Sequence, residues 1–124
     1  MEKILFVDDD LSILRLYKEE FSEGGYEVIL ANNGKEALMK YRTEHPELVI
    51  MDMRMPGMDG IEALTTILGR DRQASIVINS AFPQHRGNFM TWGAEAYLIK
   101  SSDLGGLKQK VREVLDKRQA PKAA

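Results

Sequence analysis

Short unbroken apolar runs alternate along this chain with longer stretches whose apolar residues recur every three or four positions. The runs are residues 4–7, 26–31 (carrying Val28, Ile29 and Leu30), 48–51, 76–78 and 96–99. Apolar runs of this length without polar alternation predict strands buried on both faces, as in a parallel sheet. Between the runs, Ile13, Leu14, Tyr17 and Phe21 sit at helical spacing, as do Ala37, Leu38 and Tyr41, and then Ile61, Leu64 and Leu68. The last stretch carries Leu104, Leu107, Val111, Val114 and Leu115 as one stripe, with Lys and Arg on its other faces. Asp10 or Ser12 is placed to cap the first helix, and Asp59-Gly60 opens the third. A fourth helix is predicted over about 84–92, although Pro83 precedes it, Gly87 interrupts it and its stripe is thin. Strand followed by helix, five times over, predicts an α/β fold. Its parallel sheet is covered by helices on both faces through right-handed crossovers.

Composition narrows the class. The chain has 124 residues, enough for one domain with a real core. We read 1–118 as that domain and 119–124, small and polar with Pro121, as a tail or the stub of a linker. The formal net charge of -2 argues against nucleic acid or an anionic membrane as a direct partner, since both reward a basic surface. The absence of cysteine removes disulfides, thiolate metal sites and cysteine nucleophiles, and suits a reducing cytoplasm. The apolar segment after Met1 is too short for a signal peptide, and no run approaches the length needed to span a bilayer. A cytoplasmic protein is expected.

The chemistry gathers at the ends of the strands. The first strand runs into Asp8-Asp9-Asp10, the third into Asp52 and the fifth into Lys100, while the fourth leads to Ser80. Open α/β sheets bind ligands outside the carboxyl ends of their strands. Carboxylates brought together there repel, and a hard divalent cation relieves the repulsion. Mg2+ favours one or two carboxylates together with waters and phosphate oxygens. The cluster therefore reads as an Mg2+ pocket that receives a phosphate. Asp52 is a candidate nucleophile, and Lys100 and Ser80 would share the charge on the transferred group.

Four segments carry a resemblance: Phe6-Val7-Asp8-Asp9-Asp10, the run from Met51 through Asp52 and Pro56 to Gly60, Asn79-Ser80-Ala81, and Gly93 through Tyr97 to Lys100. Together they resemble the receiver domain of bacterial two-component response regulators of the chemotaxis type, over nearly the whole chain. The resemblance implies a flavodoxin-like doubly wound sheet of order 2-1-3-4-5. It implies that Asp52 is the phosphoacceptor, and that Asp9, Asp52 and the Arg54 backbone carbonyl bind Mg2+ with Asp8 acting through a water. It also implies that Ser80 and Tyr97 are a paired switch and that Lys100 pairs with the phosphoryl oxygen. Arg54 and Phe82 fall where side chains overhang the approach of a hydrolytic water, so they are expected to tune dephosphorylation. The implied partners are a sensor histidine kinase or phosphotransfer protein, and a downstream effector or fused output domain. A phosphorylation-dependent homodimer is a further possibility of the family. Signalling would run through the face of the fourth helix, fifth strand and last helix, where Trp92 is expected to be at least partly exposed and to touch a partner.

The resemblance implies a switch rather than a conventional enzyme, one that catalyses its own phosphoryl transfer and autodephosphorylation. The rival readings are a phosphatase-like enzyme with an aspartate nucleophile and a binding module that is never phosphorylated. Many such phosphatases carry an acid two residues after the nucleophile. Arg54 stands there and cannot act as a general acid. The family also places Pro, often in cis, directly after the lysine. Ser101 stands there instead, and a non-proline cis bond costs about 3–4 kcal/mol, so trans is expected.

Overall fold

The structure is a computed structural model that describes residues 1–81 and 92–119. Its elements run β1 (Lys3–Val7), α1 (Leu11–Glu23), β2 (Glu27–Ala31), α2 (Gly34–Glu44), β3 (Leu48–Met51), α3 (Gly60–Arg70), β4 (Ile76–Ser80), β5 (Ala96–Ile99) and α4 (Gly105–Gln119). All five apolar runs are strands. They form one parallel sheet of order β2-β1-β3-β4-β5, the doubly wound order expected. The helix expected at 84–92 lies outside the described residues except for Trp92.

Two apolar layers hold the sheet. Alternate strand residues Leu5, Val7, Val49, Met51, Ile76 and Ile78 pack with Ala37, Ala63, Leu64 and Ile67 of α2 and α3. Their neighbours Ile4, Phe6, Leu48, Ile50 and Val77 pack with Leu14, Tyr17 and Phe21 of α1 and with Leu107, Val111 and Leu115 of α4. Phe6 sits between Tyr17 and Phe21, with ring centroids 5.1 and 4.8 Å away. Each fully buried large side chain contributes roughly 1.5–3 kcal/mol, and the two-residue alternation of each strand divides that burial between the two faces.

The helix starts are set by side chains. The Asp10 carboxylate accepts from the Ser12 and Ile13 amides, Asn33 from Glu36, and Asp59 from Glu62. Each such cap is worth about 1 kcal/mol. His45 closes α2 in the left-handed conformation (φ 51°). Gly60 does more than open α3. A Cβ there would stand 2.0 Å from the Asp52 carbonyl oxygen, so α3 reaches its seat beside the end of β3 only without a side chain.

Candidate functional site

Parallel pairing carries the strand ends to one edge of the sheet. Val7 pairs with Met51, so Asp8 and Asp52 emerge side by side, and the Asp52 amide donates to the Val7 carbonyl at 2.9 Å. Both carboxylates are buried, Asp8 at 2% and Asp52 at 6% exposure, while Asp9 is exposed. Carboxylate oxygens of all three lie within 4.8 Å of one another. Hard oxygen donors of this number and spacing fit a divalent cation such as Mg2+.

Lys100 closes the cluster from β5. Its backbone amide donates to the Ser80 carbonyl at 2.8 Å. Its ammonium lies 2.7 Å from Asp8 Oδ2 and 3.3 Å from Asp52 Oδ1. The other Asp8 oxygen accepts from the Asp10 amide at 2.9 Å, so both Asp8 oxygens are engaged. Asp52 Oδ1 also accepts from the Met53 amide at 2.8 Å. Among the described residues the contacts of the Asp52 carboxylate all fall on Oδ1, and Oδ2 shows no hydrogen-bond or ion-pair partner.

The charges follow from the packing. Burial, reinforced by the charge of Asp8 and opposed by Lys100, pushes the Asp52 carboxyl up to about 6. Burial pulls the Lys100 ammonium down, but its hydrogen bonds and the charges of Asp8 and Asp52 outweigh this and hold it above its usual value. Two buried carboxylates and one cation leave the pocket short of positive charge, which a divalent ion would supply.

Ser80 and Tyr97 are both buried on the α3 side of the sheet, one from the end of β4 and the other from β5, where Tyr97 pairs with Ile78. Arg54 is exposed just after Asp52. Phe82 lies outside the described residues. No cis peptide bond occurs among them, so Lys100–Ser101 is trans as expected. The loop it opens is held by its own side chains: Ser101 Oγ accepts from the Asp103 amide at 3.1 Å, and Asp103 accepts from Gly105 at 2.9 Å, at the start of α4.

A model of the response regulator receiver domain matches residues 4–112. The chain belongs to this family. Among relatives of this receiver domain, sporulation initiation phosphotransferase F of Bacillus subtilis is 35% identical over 116 residues, covering 92% of the chain and 94% of the relative. Response regulator protein TrrA of Thermotoga maritima has been solved in complex with Mg2+-BeF. It is 39% identical, with a TM-score of 0.87 over 92% of this chain and 99% of that one. The same protein solved with histidine kinase ThkA gives 40% identity and a TM-score of 0.85, over 93% and 99% of the two chains. A probable transcriptional regulator, ycf27 of Pyropia yezoensis, is 37% identical over 116 residues, which are 92% of this chain and 47% of that protein. The chain thus spans about half the length of several curated relatives and nearly all of others.

The receiver domain brings Asp8, Asp9, Asp52 and Lys100 into one pocket and sets Ser80 and Tyr97 beside it on β4 and β5. Trp92 is partly buried, packed against the α2 and α3 side of the core, so the partial exposure expected of it is present. Sequence reasoning gave no role to Asn79, although an amide directly after an apolar run was a signal. It is 4% exposed, and its Nδ2 donates to the Tyr17 hydroxyl of α1 at 2.8 Å. Burial pushes the Tyr17 phenol above its usual value, against the hydrogen bond from Asn79 and the charge of Lys100, so the ring stays neutral. Among the described residues no helix is long and apolar enough to cross a membrane.

Proposed function

We propose that this receiver domain is a phosphoacceptor switch that takes a phosphoryl group onto Asp52 from a sensor histidine kinase or phosphotransfer protein. The observation that carries the assignment is the asymmetry of Asp52: Met53 and Lys100 hold Oδ1, while Oδ2 has no partner among the described residues and is the candidate nucleophile. In the transfer, that oxygen bonds to phosphorus as the bond to the donor nitrogen breaks, and the nitrogen regains a proton. Asp9, Asp52 and the Arg54 carbonyl, with Asp8 beside them, would hold Mg2+, which would supply positive charge for the phosphoryl oxygens. Lys100 leaves its bridge between Asp8 and Asp52 to pair with the phosphoryl group, and the Ser80 hydroxyl supplies a further hydrogen bond. Positioning and charge are nearly all that such a transfer requires of a protein.

The readout follows from the same parts. Tyr97 is already turned inward, at 5% exposure, so the step left to the switch is movement of Ser80 toward the phosphoryl group, which alters the surface around Trp92, β5 and α4, where a downstream effector or a fused output domain docks. The relatives of twice this length support a fused output, and TrrA bound to ThkA supports a kinase partner. We place the domain at residues 1–118, with 119–124 as tail or linker, and the protein in the cytoplasm. Intact mass after incubation with a small phosphodonor tests the assignment. One phosphoryl group should appear, only with Mg2+, and Asp52→Asn should abolish it. Full labelling of that variant would refute the assignment.

A further inference from the structure

Asn79 stands where it could disable the nucleophile. It follows Ile78, which pairs with Met51, and so lies level with Asp52 on the adjacent strand. Strand alternation puts it on the face of Val77 and Asp52 on the face of Ile50, which is the same face, that of α1 and α4. Adjacent strands are separated by about 5 Å. A buried amide thus neighbours a buried carboxylate whose Oδ2 has no partner among the described residues. A cavity of about 220 Å³ opens beside it, lined by Tyr17, Asn79, Leu98, Ser101 and Leu107 among others and not by Asp52, so the amide is not close-packed on every side. A free amide N–H in this setting would donate to Asp52, since hydrogen bonds to a charged acceptor are roughly twice as strong as neutral ones. The amide instead points to Tyr17, at 2.8 Å. Tyr17 is itself fixed, 5% exposed and packed on Phe6 and Phe21.

We infer that Tyr17 is a positioning residue for phosphoryl transfer: its hydroxyl accepts one N–H of the Asn79 amide, fixes that side chain's orientation and so holds the second N–H away from the Asp52 carboxylate. The inference rests on Asp52 being the phosphoacceptor. Tyr17 touches no reacting group, and its effect passes through Asn79. Without the hydroxyl, the amide would engage Asp52 Oδ2, and that hydrogen bond would have to break before the oxygen could attack. The side chain of Asn79 contributes nothing to the transfer, so removing it as well should relieve the defect.

The test compares wild type, Tyr17→Phe, Asn79→Leu and the double variant by intact-mass time courses with acetyl phosphate and Mg2+. In Tyr17→Phe the maximal rate should fall about ten-fold, as expected for one charge-assisted hydrogen bond broken on the way to attack. Half-saturation by donor should be unchanged. The double variant should return to within about two-fold of wild type, which is within ordinary context dependence. A structural role for Tyr17 predicts the opposite order, with the double variant at least as impaired. Equal rates in wild type and Tyr17→Phe, or a double variant as slow as Tyr17→Phe, would overturn the inference. Absence of labelling in wild type would instead remove the phosphoacceptor reading beneath it. A second measurement needs no variant. On addition of Mg2+, the side-chain amide resonances of Asn79 should move far less than the backbone amide of Met53, which bonds Asp52 directly. Comparable movement would show that Asn79 already engages Asp52.

Discussion

Replacing Asp52 by Asn should make the metal-free domain more stable, although it destroys the nucleophile. The carboxylate is 6% exposed, next to the equally buried Asp8, and its acid dissociation is pushed from 3.8 up to about 6. Such a rise means that the folded state resists ionising Asp52 while the unfolded chain does not. By linkage it corresponds to roughly 3 kcal/mol of lost stability once the group is charged. The sign follows from proton binding. Between pH about 4 and 6 the folded state holds more protons than the unfolded state, so stability falls as pH rises through that window and stays low above it. Asn removes the charge and keeps an oxygen for the Met53 amide and for Lys100. The variant should therefore match wild type near pH 4 and exceed it by roughly 3 kcal/mol at pH 7.5. Urea unfolding with a chelator present measures this. At about 1–3 kcal/mol per M, the midpoint should rise by about 1–3 M. Mg2+ should nearly erase the difference. Wild type gains about 2.7 kcal/mol at a hundred times its dissociation constant, and the variant gains little. A variant no more stable than wild type at pH 7.5 without metal would refute the reasoning. So would an excess of the same size at pH 4, because charge would then not be its cause.

Lys100→Ala leaves Asp8 and Asp52 without their shared cation. It should destabilise the metal-free domain by about 3 kcal/mol at neutral pH, with much of the loss restored by Mg2+ in the same unfolding assay. Gly60→Ala places a Cβ 2.0 Å from the Asp52 carbonyl. It should cost roughly 2–3 kcal/mol in thermal or urea unfolding and slow phosphorylation by displacing Met53. Arg54→Asn with Phe82→Ala should open the approach of hydrolytic water and supply an amide to orient it. Decay of the phosphorylated form, followed by mass after donor removal, should accelerate about ten-fold, and an unchanged decay would count against both residues as tuning groups.

The sequence exposed the parts that repeat or stand out against their surroundings. Five apolar runs became five strands because a parallel sheet covered on both faces leaves no polar alternation to confuse them. The acids at Asp8, Asp9 and Asp52 and the lysine at Lys100 were legible because a charge ending an apolar run has few structural reasons to be there. Strand order, by contrast, came only from the resemblance, since periodicity within a run carries no information about its neighbours. Asn79 and Tyr17 were hidden for a related reason. Tyr17 fits the apolar stripe of α1, and its hydroxyl is meaningful only once β4 is known to pass beneath it, 62 residues along the chain. Gly60 read as a helix opener because the carbonyl that forbids its side chain belongs to Asp52, on the other side of a turn. In each case the missing information was a contact between one element and another. Each of these residues also acts on the same carboxylate, Gly60 by seating the backbone after it and Tyr17 by restraining the amide beside it. The reactive oxygen of Asp52 thus depends on groups whose own local sequence gives no sign of chemistry. A variant screen guided by charge alone would pass over the residues that keep this oxygen free.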